Sequence, residues 1–135
     1  MNGMITAGLG CRRACTAEDV VAAVMTALAQ AGRALEEVSA LYAPDARRDA
    51  PALRAAATQL GKPLAFVGTA QLVQQTARAL SHSAHAQRHL GVPSAAETAA
   101  LAGVCGTHPG ANARLLGPRS IAGAATCALA IAEAG

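Results

Sequence analysis

The sequence has no tryptophan, one tyrosine (Tyr42) and one phenylalanine (Phe66). Nucleic-acid modules that stack bases need aromatic faces, so their scarcity argues against that class. A core without large rings must pack through small side chains and close approach of its elements. Hydrophobic residues still make up 53% of the chain, much of it alanine. Long apolar runs are missing as well. No stretch approaches the roughly 20 apolar residues that span a bilayer, so no membrane partner is expected. The N-terminal residues carry no positive leader and open into a strand-like run, which argues against a secretory signal. Cytoplasmic residence is the expectation, with the four cysteines as free thiols rather than a disulfide framework.

Lysine is nearly absent too: Lys62 is the only one, and arginine carries the net charge of +3. The positive charge is local, at Arg12–Arg13, Arg47–Arg48, Arg114 and Arg119. None of these makes the long basic block of a DNA-binding face. Paired arginines in loops suit a small ligand bearing carboxylates or phosphates, because a guanidinium fork binds such oxygens bidentately. Solvated surface charge is the alternative.

At 135 residues the chain fits one domain, spanning 1–135, with a core that needs no metal or disulfide support. A short strand is expected over 4–9, broken by Gly8 and Gly10. Thr16 is a good N-cap, followed by Glu18 and Asp19 in the first turn and apolar residues at helical spacing to Gly32. A second strand follows over 38–43, a helix over 51–60 opened by Pro51, and a third strand over 64–67. A third helix is expected from Thr69 through Leu80, whereas 81–91 is ambiguous. Ser94 caps a fourth helix that ends near Gly103, with Glu97 completing a capping box. Segments 112–116 and 122–131 read as the last two strands, the second alanine-rich enough to be a helix instead. The alternation predicts an α/β fold, with three layers α/β/α around a sheet of about five strands. A hairpin across Gly117–Pro118 would make that sheet mixed.

Three groups of residues carry chemistry. Gly8-Leu9-Gly10-Cys11-Arg12-Arg13 joins the first strand to the first helix. Ligands in open α/β sheets sit at such strand ends, near free helix N–H groups. The third glycine of the dinucleotide fingerprint is missing, and so is the Gly-Lys-Ser/Thr of a phosphate loop. A tight turn with exposed arginines is the bland alternative. His82, His85 and His89 share one face if their segment is helical. They then suit a divalent metal or an axial position on a tetrapyrrole-bound metal; an exposed polar segment is the alternative. Cys11 and Cys15 flank two arginines at a helix start, which lowers a thiol pKa in favourable cases. Their spacing is not a zinc knuckle, and Cys105 and Cys127 stand alone. No resident metal or cofactor is expected.

The chain resembles the CobE/CbiG C-terminal domain family of cobalamin (vitamin B12) biosynthesis, from about residue 4 to 132. Ile5-Thr6-Ala7-Gly8-Leu9-Gly10-Cys11-Arg12-Arg13, followed by Thr16-Ala17-Glu18-Asp19, is similar to the family's Gly-x-Gly-Cys-Arg opening. Gly91-Val92-Pro93-Ser94-Ala95-Ala96-Glu97-Thr98-Ala99-Ala100-Leu101 is similar to its Gly-x-x-Ser-x-x-Glu-x-x-Ala-Leu segment. Pro118-Arg119 through Thr126-Cys127-Ala128-Leu129-Ala130 resembles its Lys-then-Thr-x-Ala-x-Ala strand, with Arg119 in place of the usual Lys. At Arg47-Arg48-Asp49-Ala50 the family tends to show Lys followed by two acids, so the acid expected at Ala50 is missing.

The resemblance implies an α/β/α fold and a part in building the corrin ring. It implies a ligand site formed by Gly8, Gly10, Cys11, Arg12, Arg13, Arg47, Ser94, Glu97, Arg119 and Thr126. Longer family members open a ring-A lactone and release acetaldehyde from a cobalt-precorrin; this chain is most similar to the short, stand-alone form. Two functions follow as expectations. One is an accessory or carrier protein that binds a precorrin-type tetrapyrrole, with other corrin-forming enzymes as further partners. The other is a precorrin-processing enzyme, such as a lactone hydrolase using Cys11.

Overall fold

The computed structural model describes residues 5–108 and 112–133. Its elements are β1 (Ile5–Cys11), α1 (Ala17–Ala31), β2 (Val38–Pro44), α2 (Pro51–Leu60), β3 (Leu64–Val67), α3 (Thr69–Val73), α4 (Ala84–Leu90), α5 (Ala95–Thr107), β4 (Asn112–Leu115), β5 (Ser120–Ala122) and β6 (Ala125–Glu133). The sheet runs β3-β2-β1-β6-β4, with β5 also paired to β6. β1, β2 and β3 are parallel, whereas β6 is antiparallel to β1, β4 and β5. The sheet is mixed, with helices on both faces, as the alternation of elements predicts.

Side-chain alternation along the two central strands explains the layers. Ile5, Ala7 and Leu9 of β1, with Ala125, Cys127 and Leu129 of β6, join the core formed with α1 and α2. Ala128 and Ala130 of β6 face the other way, onto Ala96, Ala100, Leu101 and Val104 of α5. On β1 this second face is Thr6, Gly8 and Gly10. The Thr6 hydroxyl donates to the Ala100 carbonyl at 2.7 Å. A Cβ on Gly8 would lie 2.0 Å from the Ala96 carbonyl oxygen and 2.4 Å from the Ala100 nitrogen. Backbone therefore meets backbone, and the missing aromatic bulk is replaced by direct helix-on-strand contact. At Gly103 the missing Cβ instead makes room for the Tyr42 ring against α5. The strand accordingly does not break at Gly8 and Gly10, as expected from sequence, but continues to Cys11.

Three other expectations are corrected. The helix expected through Leu80 ends at Val73, followed by a 3₁₀ turn over Thr76–Arg78. Only Leu72 of α3 is buried, so no apolar face continues the helix, and Gln75 turns inward to donate to the Cys105 sulfur at 3.4 Å. The fourth helix passes Gly103 and ends at Thr107. The hairpin turns at Gly123 (φ +56°), between β5 and β6, while Gly117–Pro118 lies between β4 and β5 on one edge of β6. The alanine-rich segment 122–131 is a strand from Ala125 onward, hydrogen-bonded on both its edges. Met4, counted in the first strand by sequence, lies outside the described residues. Among the described residues no helix is long and apolar enough to cross a membrane.

Candidate functional site

The C-terminal ends of β1 and β2 open, together with the start of β6, into a cleft of about 770 Å³. That size falls within the range of small-molecule sites. Gly10, Thr126 and Ala95 contribute to its floor. A Cβ on Gly10 would lie 2.3 Å from the Thr126 hydroxyl and 3.7 Å from the Ala95 methyl, so glycine keeps this position open. The start of α5 joins the lining through Ser94 and Ala95. Free N–H groups at a helix start favour anions.

The walls come from three loop regions and from α4, which carries His85 and His89. The end of β1 and the loop after it supply Cys11, Arg12 and Arg13, and the segment after β2 supplies Arg47. The chain from Pro118 to Ala124 supplies Arg119, Ile121 and the hairpin turn. Two contacts lock the first loop to the third. The Arg12 N–H donates to the Ala124 carbonyl at 3.0 Å, and the Asp19 carboxylate accepts from the Ala124 N–H at 3.3 Å. Asp19 is also half of the α1 capping box, bonded reciprocally with Thr16. A Cβ on Gly123 would collide with the Asp19 carboxylate at 2.3 Å, so the turn needs glycine for space as well as for its positive φ.

The charge is one-sided. Arg12, Arg13, Arg47 and Arg119, with His85 and His89, line the cleft, and no carboxylate of the described residues does. Arg48 is taken up elsewhere: it pairs with Asp45 (Nε to Oδ1, 2.8 Å) and lies 5.2 Å from the Phe66 ring centre. Arg12 and Arg13 are exposed and Arg47 and Arg119 half-buried. The Nε atoms of Arg47 and Arg119 are shut off from solvent and have no hydrogen-bond partner among the described residues. Buried donors are normally satisfied, so the two orphans leave guanidinium hydrogen-bonding capacity unspent beside the cleft.

His85 and His89 lie on α4 with ring centres 4.3 Å apart. The pKa of His85 is lowered by its burial first, then by His89, Arg12, Arg88 and Arg47. His82 is exposed and outside the lining. The three histidines do not converge, and no group of three metal-ligating side chains occurs among the described residues.

All four cysteines are free. Cys11 lines the cleft, where its thiol donates to the Arg12 carbonyl at 3.7 Å. Burial first, then its hydrogen bond with Cys11, pushes the Cys15 thiol up to about 12, and burial alone does the same at Cys127. Both are neutral thiols near neutral pH and therefore poor nucleophiles. The arginines between Cys11 and Cys15 do not activate Cys15 as cationic neighbours do elsewhere.

Of the residues singled out from sequence, Gly10, Cys11, Arg12, Arg13, Arg47, Ser94, Arg119 and Thr126 all line this one cleft. Gly8 and Glu97 do not. Gly8 lies under α5, and Glu97 is fully buried behind the cleft wall. Ser94 is also fully buried, and its hydroxyl accepts from the Glu97 N–H at 3.3 Å to cap α5. Sequence reasoning missed Ile121, which is 62% exposed at the cleft and offers an apolar contact beside the cations. It missed Asp19 as the pin of the hairpin as well. Neither has a sequence signal, because both depend on the β5–β6 turn folding back onto α1.

Residues 5–130 match the family model described as "Cobalamin synthesis G C-terminus". The chain is 37% identical over 123 residues to Protein CobE from Sinorhizobium sp, covering 91% of this chain and 77% of that protein. It superimposes with a TM-score of 0.90 on the crystal structure of CobE, a protein from the cobalamin (vitamin B12) biosynthetic pathway. That match has 40% identity and covers 99% of this chain and 95% of the other. The cobalamin biosynthesis protein chiG from Agrobacterium tumefaciens is similar at 32% identity, with a TM-score of 0.72 over 97% of this chain and 100% of that one.

Proposed function

The chain belongs to the cobalamin synthesis G C-terminus family of cobalamin biosynthesis proteins, and on that premise we propose that it binds a precorrin-type tetrapyrrole in the arginine-lined cleft. It does so as a cytoplasmic accessory or carrier protein that holds an intermediate and passes it to other corrin-forming enzymes. The observation that carries this reading is the pair of buried Nε donors of Arg47 and Arg119, without partners among the described residues, in a cleft that none of those residues lines with a carboxylate. Precorrins bear many carboxylates around an apolar ring. The four arginines match the carboxylates, and Ile121, Leu90 and the alanines of the lining match the ring. A screen of the purified protein against enzymatically prepared precorrins, read by their visible spectra, tests the reading. Retention of pigment through gel filtration is expected, and passage of every intermediate unbound and spectrally unchanged would refute it.

The histidines give the binding a pH dependence. In the free cleft His85 is held below the usual imidazole value by its burial and its cationic neighbours. Ligand carboxylates offset those cations, so the His85 pKa rises on binding and a proton is taken up. By linkage, affinity increases as pH falls from about 8 to 6, a range in which ordinary carboxylates stay ionised. Titrations at the two ends of that range are expected to show tighter binding at the acid end, with His85→Gln flattening the trend. Tighter binding at the alkaline end would contradict the assignment.

Catalysis by this chain would need an activated group, and Cys11 is the candidate. Its hydrogen bond as donor goes to the Arg12 carbonyl rather than to a histidine or carboxylate. Cys11→Ser is therefore expected to restore cobalamin output in a strain lacking the native protein. Loss of output at normal protein level would favour the precorrin-processing enzyme instead, because a serine hydroxyl is a far weaker nucleophile than a thiolate.

A further inference from the structure

We propose that Glu97 is a positioning residue that fixes two walls of the cleft against each other without touching the ligand. The inference rests on the tetrapyrrole-binding reading above. Glu97 sits in the first turn of α5, where the sequence predicts a capping box with Ser94. Half of that box forms: the Ser94 hydroxyl accepts from the Glu97 N–H. The Glu97 carboxylate does not return to residue 94 and reaches outward to two other segments. Its Oε1 accepts from the N–H groups of Leu80 (2.7 Å) and Ser81 (2.8 Å). Its Oε2 accepts from the Ser81 hydroxyl (2.7 Å) and the Arg119 N–H (2.8 Å). The residue is 0% exposed and outside the cleft lining, so all of this serves the interior.

Each segment leads directly to cleft groups. Ser81 is followed by Ser83, which caps α4 by accepting from the Ala86 N–H at 3.2 Å and is tied by its own N–H to the Pro93 carbonyl at 2.7 Å. α4 carries His85 and His89. The Arg119 backbone is held by the same carboxylate, and the residue lines the cleft with an Nε that has no partner among the described residues. One buried acceptor thus sets the imidazole wall and the Arg119 wall in register. A ligand meeting both walls gains from that register, since placement errors of about 1 Å at a site are costly.

Glu97→Gln separates positioning from bulk stability. The amide keeps one acceptor oxygen for Leu80 and Ser81, but its NH₂ group replaces the oxygen that serves the Arg119 N–H, leaving donor against donor. Uroporphyrin, a polycarboxylate tetrapyrrole, serves as the probe, with affinity read by fluorescence quenching. Measurements are made on the wild type, Glu97→Gln, Arg119→Ala and the double variant, each below its melting temperature. Glu97→Gln is expected to weaken binding about tenfold, and the double variant to bind no more weakly than Arg119→Ala alone within about threefold. If the glutamine variant does not fold, Ser81→Ala removes one bond to the same oxygen and is expected to give a smaller loss that is likewise absent in the Arg119→Ala background. Additive losses, or unchanged affinity in Glu97→Gln, would overturn the positioning role. Failure of the wild type to bind uroporphyrin would instead remove the binding reading beneath it.

Discussion

Gly8→Ala is expected to cost about 3 kcal/mol of folding stability and to lower the melting temperature by about 10 °C, the upper end for overpacking. The new methyl would sit within 2.4 Å of two backbone atoms of α5, the Ala96 carbonyl oxygen and the Ala100 nitrogen. Backbone cannot swing aside as a side chain does, so α5 must lift from β1. That movement also strains the bond from Thr6 to the Ala100 carbonyl and opens the alanine core against β6. Gly106→Ala is the control. It lies in the same helix with nothing within 4 Å of the added methyl, and it is expected to be neutral or to stabilise by up to about 1 kcal/mol. Thermal melts of the two variants side by side check the argument. Equal melting temperatures would mean that close helix-on-strand contact does not hold this fold together.

Replacing Arg47 and Arg119 together with alanine is expected to weaken binding of a precorrin or uroporphyrin by about a hundredfold or more. A hydrogen bond to a charged group contributes about 1.5–3 kcal/mol, and both guanidinium groups are partly withdrawn from water, where competition for them is weakest. The same change removes two orphaned donors from the free protein, so its stability is expected to hold or rise slightly. Lower affinity at undiminished stability is the signature of a group kept for its ligand. Arg12→Ala with Arg13→Ala, at exposed positions, is expected to cost less and to show the steeper salt dependence. Calorimetric titration and melting curves of the two double variants check this. A reversed order of the two losses would place the ligand at the rim, away from the buried end of the cleft.

Much of this was legible in the chain itself. The Thr16 cap with Glu18 and Asp19, the Gly32 stop and the Pro51 start mark local chemistry, and they define α1 and α2 to within a residue. The strand expected over 38–43 runs one residue further, to Pro44, and the strand over 64–67 is where the sequence puts it. The same local logic misjudged Gly8 and Gly10. Glycine between a strand and a loop reads as a break, yet these two alternate on one face of β1 because a helix distant in sequence lies on them. Local logic also sent Glu97 back to Ser94, where a capping box would take it. Its actual donors are 16, 17 and 22 residues away, beyond any local pattern. The cleft residues were found through the resemblance and through clustered arginine. What sequence did not separate is which arginines have buried, unpartnered nitrogens and which, like Arg48, are already paired.

The most direct test of the tetrapyrrole-binding account is native mass spectrometry of the protein purified from cells that assemble the corrin ring. The wild type and the Arg47→Ala/Arg119→Ala variant are compared at equal expression. The account predicts a wild-type species heavier by one tetrapyrrole polycarboxylate, and a variant that emerges as the bare chain. Bare wild-type protein, or equal ligand occupancy in the two, would contradict it.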